Sequence, residues 1–400
     1  MEFPRTWKIF LVIILFVIFF LQYQQRAPKR NFSDFHMLYH TAKRFLYREP
    51  IYTFVGEIAY YKYTPFYAFL ISFLAKFSER TAASIWFLAN ILFFLFLVYA
   101  LKELIIEDKD KFKAYTLFYF LSIISCLRFI IGNFHQGQSN ILMMCLLLGG
   151  LFFLEKNREN LASFFIAFSI MVKYMTLLFL PWLLLRRKFS LLIKVLIFIL
   201  IFNLIPALSW GWKANGELLK QGIAFLFKSS LDNYSLTCYP NQSLLACLNR
   251  FFSRESFYKV NIFYLPQEKV NFIFAVLAIL LYSLAIIPGR KIAYDFSLIS
   301  ICVAFFNPNA WRYFYIWLLP AYMSLFYYLI KDKFKEKWIL ILVAISFIFC
   351  SLPSEEIMGE KLSDILEIYS FVTLGALFLF LTLLRLKFLE VRPPNIIDFN

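Results

Sequence analysis

The sequence predicts an all-α polytopic membrane protein, and three observations carry that expectation. Residues are 61% hydrophobic and 21% aromatic, only 16% are charged, and mean hydropathy is +0.68; a soluble domain keeps about 25% charged residues to cover its surface. Apolar runs also recur at membrane length. Trp7–Leu21, Thr81–Leu101, Ala114–Ile131, Phe189–Leu208, Val270–Ile287 and Trp311–Ile330 each approach the roughly 20 residues that cross a hydrocarbon core. Water is absent there, so each run must satisfy its own backbone as a helix. Finally, basic clusters alternate with other polar segments along the chain, as loops on the two sides of a membrane do.

The first run has a basic start, Arg5 and Lys8, but Gln22-Tyr-Gln-Gln-Arg26 follows it without a small-residue cleavage site. It is expected to be a retained span with its N-terminus inside. Basic clusters then fall at Lys102–Lys113, Lys156–Arg158, Arg186–Lys194, Arg290–Lys291, Lys331–Lys337 and Arg385–Arg392. Between them lie Asn133–Asn140, the Lys173–Tyr174 junction, Ser209–Val270, Asn307–Trp311 and Leu352–Asp364. Placing the first set in the cytoplasm satisfies the positive-inside rule. The parity of the early crossings makes Thr81–Leu101 a span and the shorter Pro65–Phe77 a partly inserted or re-entrant helix. About twelve spans result, in a single domain over 1–400. Residues 24–64 and 209–269 form two outward segments too small to fold alone. The expected location is the inner (plasma) membrane, with the polar residues facing the periplasm or cell exterior.

The formal net charge of +16 does not point to nucleic acid, because no soluble basic segment is long enough to form a reading domain. Cys126, Cys145, Cys302 and Cys350 sit within apolar runs as packing residues, whereas Cys238 and Cys247 share a polar loop, which leaves a disulfide open. No Cys/His spacing resembles a zinc site.

In the first outward segment, Ser33 can cap a helix whose apolar stripe contains Leu38, Ala42, Phe45 and Leu46. Asp34 falls in its first turn, where the helix dipole favours a carboxylate. His36 and His40 lie one turn apart and could grip a metal with Asp34, or with Glu49, Glu57 or Asp232 from elsewhere. The plainer reading makes them interfacial polar groups, and no metal or other cofactor is expected. Further along, Lys62 and Tyr63 enter an apolar stretch at Pro65, Arg128 and Lys173 interrupt apolar sequence, and Gly137-Gln-Ser-Asn140 offers amides and a hydroxyl at a helix mouth. An ionisable residue inside a membrane segment is a functional candidate by default. Asn241-Gln-Ser243 with Arg250, and Trp311 with Arg312, close the set. Lys62, Arg128, Lys173, Arg250 and Arg312 thus gather on one face with few carboxylates, an arrangement that suits a lipid-linked phosphate.

In this order the segments resemble the polyprenyl-phosphate-mannose-dependent mannosyltransferases of glycosyltransferase family 87, in the membrane-embedded GT-C superfamily. Asp34-Phe35, Tyr61-Lys-Tyr-Thr-Pro65, Gly137-Gln-Ser-Asn140, Lys173 ahead of Pro181, Asn241-Gln-Ser243 with Arg250, and Asn307-Pro-Asn-Ala-Trp311 before Leu319-Pro320 carry the likeness. The resemblance implies a GT-C-like bundle with its active site at the extracytoplasmic surface and an inverting transfer from a polyprenyl-phosphate sugar donor, with Asp34 as base. Lys62, Arg128, Lys173, Arg250 and Arg312 are then candidates for the donor phosphate. His36, Tyr63, Gln138, Asn140, Asn241, Gln242 and Trp311 are candidates for the sugar and for a lipid or glycan acceptor. The family commonly carries histidines after its Pro-x-x-Trp stretch, where this chain has Arg312-Tyr313-Phe314. A secondary transporter or flippase is the rival class, but scarce glycine and the absence of a visible repeat speak against it.

Overall fold

The computed structural model describes residues 33–52, 61–109, 112–229 and 233–389. The expected first span, the start of the first outward segment, and Glu57 and Asp232 lie outside them. The described residues are helical, with no strands beyond the isolated bridges Asn241–Trp311 and Ser253–Leu265.

Six helices among the described residues are long and apolar enough to cross a membrane: Glu79–Ile105, Tyr115–Gln136, Phe189–Trp210, Gln267–Ile286, Arg312–Lys331 and Phe371–Leu389. Five of the apolar runs read from the sequence sit in the first five of these. The last, Arg312–Lys331, begins as a tight 3₁₀ stretch, Arg312–Leu318, before Pro320 opens its α-helical part near the first turn. Proline is tolerated there because its missing N–H would have no partner in any case. Six other apolar helices run only 10–17 residues, Pro65–Lys76 among them. At 1.5 Å per residue a 16-residue helix covers about 24 Å, short of a core of about 30 Å.

Two of the short helices, Asn140–Glu155 and Ile292–Phe306, lie in the interior together with the membrane-length Arg312–Lys331, whereas Lys337–Ser351 keeps Leu340, Ile341 and Ile348 exposed. Every residue of Asn140–Leu151 and of Ala293–Phe305 is buried. Around them the long helices turn apolar side chains outward, with Leu92, Ile193, Phe272 and Ile279 each more than half exposed. In water such faces would form apolar patches far beyond the few hundred Å² that monomers tolerate, whereas lipid accepts them.

The two sets of polar segments separate to opposite ends. Lys291 and Lys331 pair with Glu107, Lys331 approaches Asp108, and Lys194 and Ser190 meet Glu159. All of these lie in, or one residue from, the basic clusters expected in the cytoplasm. At the same end, fully buried Asp295 accepts from Trp182 Nε1 (2.9 Å), Arg186 (2.6 Å), Lys387 (2.9 Å) and the Gly289 N–H (3.0 Å), tying three distant stretches together.

Ser33–Leu46 is a helix as its sequence predicts, but it is more deeply set than one stripe implies. Phe35, Met37, Tyr39 and Thr41 are buried together with Leu38, Ala42 and Phe45, whereas Leu46 is exposed. Neighbouring Ser72–Lys76, Pro65–Ile71 and Glu79–Ile105 pack on several of its sides. Cys238 and Cys247 are buried free thiols.

Removing Asp295 isolates two buried cations, which costs about 3–5 kcal/mol. Asp295→Ala is therefore expected to lower the thermal midpoint of the detergent-purified protein sharply. Replacing Asp295, Arg186 and Lys387 together by leucine and methionines is expected to recover most of the loss, both read by thermal unfolding.

Candidate active site

At the opposite end, four segments far apart in sequence converge on Asp34. Each is held by local chemistry that the sequence specifies.

Tyr61-Lys-Tyr-Thr-Pro65 turns into a helix at Pro65. Thr64 caps that helix by accepting from the Tyr67 N–H (3.1 Å), and its hydroxyl donates to the Met171 carbonyl. The loop carrying Lys62 and Tyr63 is thereby fastened to the one carrying Lys173. At Lys173 the backbone is extended, so Glu159–Val172 ends and a 3₁₀ turn begins. This break leaves Lys173 at the apex of a helical hairpin, its ammonium 5.3 Å from the ring centre of Tyr63 and 5.1 Å from that of Phe314.

Gly137 closes Tyr115–Gln136 with φ of 65°, a left-handed conformation that a side chain resists. Its carbonyl accepts from Trp86 Nε1 (2.8 Å), which fixes the turn. Gln138 follows, buried, and its amide is oriented from both sides: the nitrogen donates to Asp34 Oδ2 and the oxygen accepts from the Tyr63 hydroxyl (3.5 Å). Ser139 meets the Tyr67 hydroxyl at 2.7 Å.

The fourth segment supplies Tyr313, whose phenol stands beside Asp34 and acts on its carboxyl. A Cβ on Gly132 would stand 3.0 Å from Tyr313 Cβ, so the bare glycine lets the tyrosine backbone come close. Asn133 then donates to the Tyr313 carbonyl (2.6 Å) and accepts from Asn140 (3.0 Å).

Asp34 thus sits partly exposed between an amide and a phenol, with Lys173 and Lys62 near enough for their charges to act on it. Burial pushes its carboxyl above the ordinary aspartate value, while Gln138, Tyr313 and the two lysines pull the other way. Burial likewise lowers the Lys173 ammonium to about 8, helped by Lys62 and opposed by Asp34. An acid and two cations therefore sit together with amide and hydroxyl groups around them.

Other candidates lie elsewhere. Arg250 is fully buried with its donors committed: Nε and one terminal nitrogen to Ser370 (3.2 and 2.7 Å), the other to the carbonyls of Cys238 (2.9 Å) and Asn241 (2.7 Å). Asn241 donates to the Ser235 and Pro308 carbonyls, and Gln242 to those of Tyr239 and Glu367. Trp311 bridges Asn241 through its backbone. These residues rivet the 235–250 stretch to the Asn307–Trp311 loop and to Glu360–Ile368. Arg128 and Arg312 both pair with buried Glu367, and Arg312 also with Glu355 (3.1 Å). His36 turns to Glu79 (2.5 Å) rather than to Asp34.

Sequence reasoning missed Tyr313 and Glu367. Tyr313 occupies the place where the resemblance led one to look for a histidine, and that departure was the available signal.

Residues 61–311, more than half of the chain, match the pattern of glycosyltransferase family 87. The chain belongs to glycosyltransferase family 87. It is a membrane glycosyltransferase, and it needs a glycosyl donor and an acceptor at the bilayer. No curated protein matches it. The matched span takes in Lys62, Tyr63, Gln138 and Lys173 but not Asp34, which is linked to them through the contacts above.

Arg250→Met leaves two carbonyls and a hydroxyl without their donor in the interior, and is expected to cost at least about 3 kcal/mol. Lys173→Met removes a desolvated cation and is expected to change stability by less than about 1 kcal/mol. Thermal unfolding of both variants side by side checks this division between rivet and site.

Proposed function

We infer that this family 87 enzyme transfers a hexose, mannose in the first instance, from a polyprenyl-phosphate sugar to a lipid or glycan acceptor, with inversion, at the extracytoplasmic face of the inner membrane. The observation that carries this reading is Asp34 held between Gln138 and Tyr313 with Lys62 and Lys173 beside it. The GT-C-like arrangement of about twelve spans, acting as a single unit, goes with it. So does the outward placing of 24–64 and 209–269, supported by the gathering of the basic clusters at the other end.

In the reaction, the Asp34 carboxylate takes the proton of the acceptor hydroxyl as that oxygen attacks the anomeric carbon. The bond from that carbon to the phosphate oxygen breaks, and the lipid phosphate leaves with its electron pair. General-base help of this kind contributes about 10²–10⁴ in rate. Tyr313 and Gln138 keep the carboxylate aimed, which is preorganisation of the sort that costs nothing at the moment of reaction. Lys62 and Lys173 face the charge that grows on the phosphate. Arg128 and Arg312, neutralised by Glu367 and Glu355, hold the Glu355–Ile368 region in place, and Arg250 does the same for the long outward segment. A single displacement needs one essential carboxylate, unlike the pair of a glycosidase.

Asp34→Asn is expected to reduce transfer from radiolabelled polyprenyl-phosphate mannose at least about 100-fold while the protein stays folded. Retention of more than a tenth of the rate sinks the base assignment. A second measurement concerns pH. Lys173 is charged below about 8 and neutral above it, and kcat/KM reports groups of the free enzyme. The donor kcat/KM is therefore expected to fall as pH rises through about 8, and Lys173→Arg to carry it to higher pH.

A further inference from the structure

The helix that bears Asp34 also bears His36 and His40, one turn apart and therefore on one face. Their rings meet edge to face, 4.2 Å between centroids. Opposite them stands Glu79, the first residue of the membrane-length helix Glu79–Ile105, positioned by Ser78, which caps that helix by accepting from the Thr81 N–H (3.3 Å). His36 Nδ1 lies 2.5 Å from one Glu79 oxygen and His40 Nε2 lies 3.8 Å from the other. One ligand atom from each of the three residues fits within 4.8 Å of the others.

We propose that His36, His40 and Glu79 form a binding site for one divalent transition metal of the zinc class, which clamps the Asp34 helix to the membrane-length helix beside it. Two imidazoles and a carboxylate are the donor set of open zinc sites, which keep a fourth position for water. Metal–ligand bonds of about 2.0–2.2 Å place tetrahedral donors roughly 3.3 Å apart. The present donors need shifts of about an ångström, the 2.5 Å His36–Glu79 pair opening and the wider separations closing, which rotation of side chains one-third to two-fifths exposed supplies. That same exposure leaves the fourth position open to water. Oxygen-seeking ions such as magnesium are disfavoured by the two nitrogens.

The clamp differs from the cluster that the sequence suggests, in which Asp34 is the third ligand. Asp34 and His36 are two residues apart on a helix, about 200° around its axis, so they face different ways. The metal therefore fixes the helix without consuming the acid. Its role is positioning, and its presence is measurable without any transfer assay, so it stands or falls separately from the reaction proposed above.

The test uses the full chain in detergent, stripped with a chelator and titrated with Zn²⁺ and with Co²⁺. One ion per chain is expected by calorimetry, with the intense visible bands of tetrahedral Co²⁺. Loss of a direct ligand exceeds the 10–100-fold that outer partners cost, so His40→Ala and Glu79→Gln are each expected to weaken Zn²⁺ by at least about 100-fold. Glu49→Gln, three residues past the far end of the same helix, is expected to bind as wild type. In the unsubstituted chain, Zn²⁺ is expected to protect His36 and His40 from a histidine-acylating reagent, read by peptide mass, which keeps the test decisive if a variant fails to fold. Unprotected histidines, or binding that survives His40→Ala and Glu79→Gln, overturns the site.

Discussion

Hydrocarbon offers no hydrogen bonds, and most of this architecture answers to that single constraint. Backbone polarity is satisfied within helices, and side-chain polarity is either paired in the interior or carried to one of two ends. Asp295 at one end has four donors around it. At the other end, fully buried Arg250 is met by carbonyls and a hydroxyl instead of a counter-charge. Such clusters do structural service because their charges are spent on buried partners within the bundle. The Asp34 cluster differs: its acid and its two lysines retain partly exposed surface.

This distinction explains what could be read in advance. Membrane-length helices were legible because a continuous apolar run has few ways to satisfy itself in lipid. The short buried helices were harder to rank, since a dozen apolar residues are equally consistent with a partial crossing or an interior element. The ends of the bundle were legible from the alternation of basic clusters, and the ion pairs joining Glu107 to Lys291 and Lys331 follow that grouping.

Individual site residues were legible by type and position but not by partner. Arg128 and Glu367 are 239 positions apart, and no local pattern reveals that an intramembrane arginine has its own acid. Asn241 and Gln242 carry the amides of a sugar site, yet amides serve equally well to capture stray carbonyls at a loop junction, as they do here. Gln138 shows the opposite outcome. Its motif contains a left-handed glycine that turns the chain, and the following amide is thereby delivered to Asp34. The pairing of His36 and His40 with Glu79 joined two segments separated by 43 positions, beyond the reach of periodicity.

The lysine pair beside Asp34 has a consequence for turnover under the proposed reaction. A sugar phosphodiester arrives with one negative charge, and the bare lipid phosphate departs able to carry a second. Two ammonium groups in a poorly hydrated niche therefore grip the spent carrier more firmly than the fresh one. Catalysis of this kind is prone to inhibition by its own by-product, and the pace of the cycle passes from bond breaking to the escape of the used lipid into the membrane.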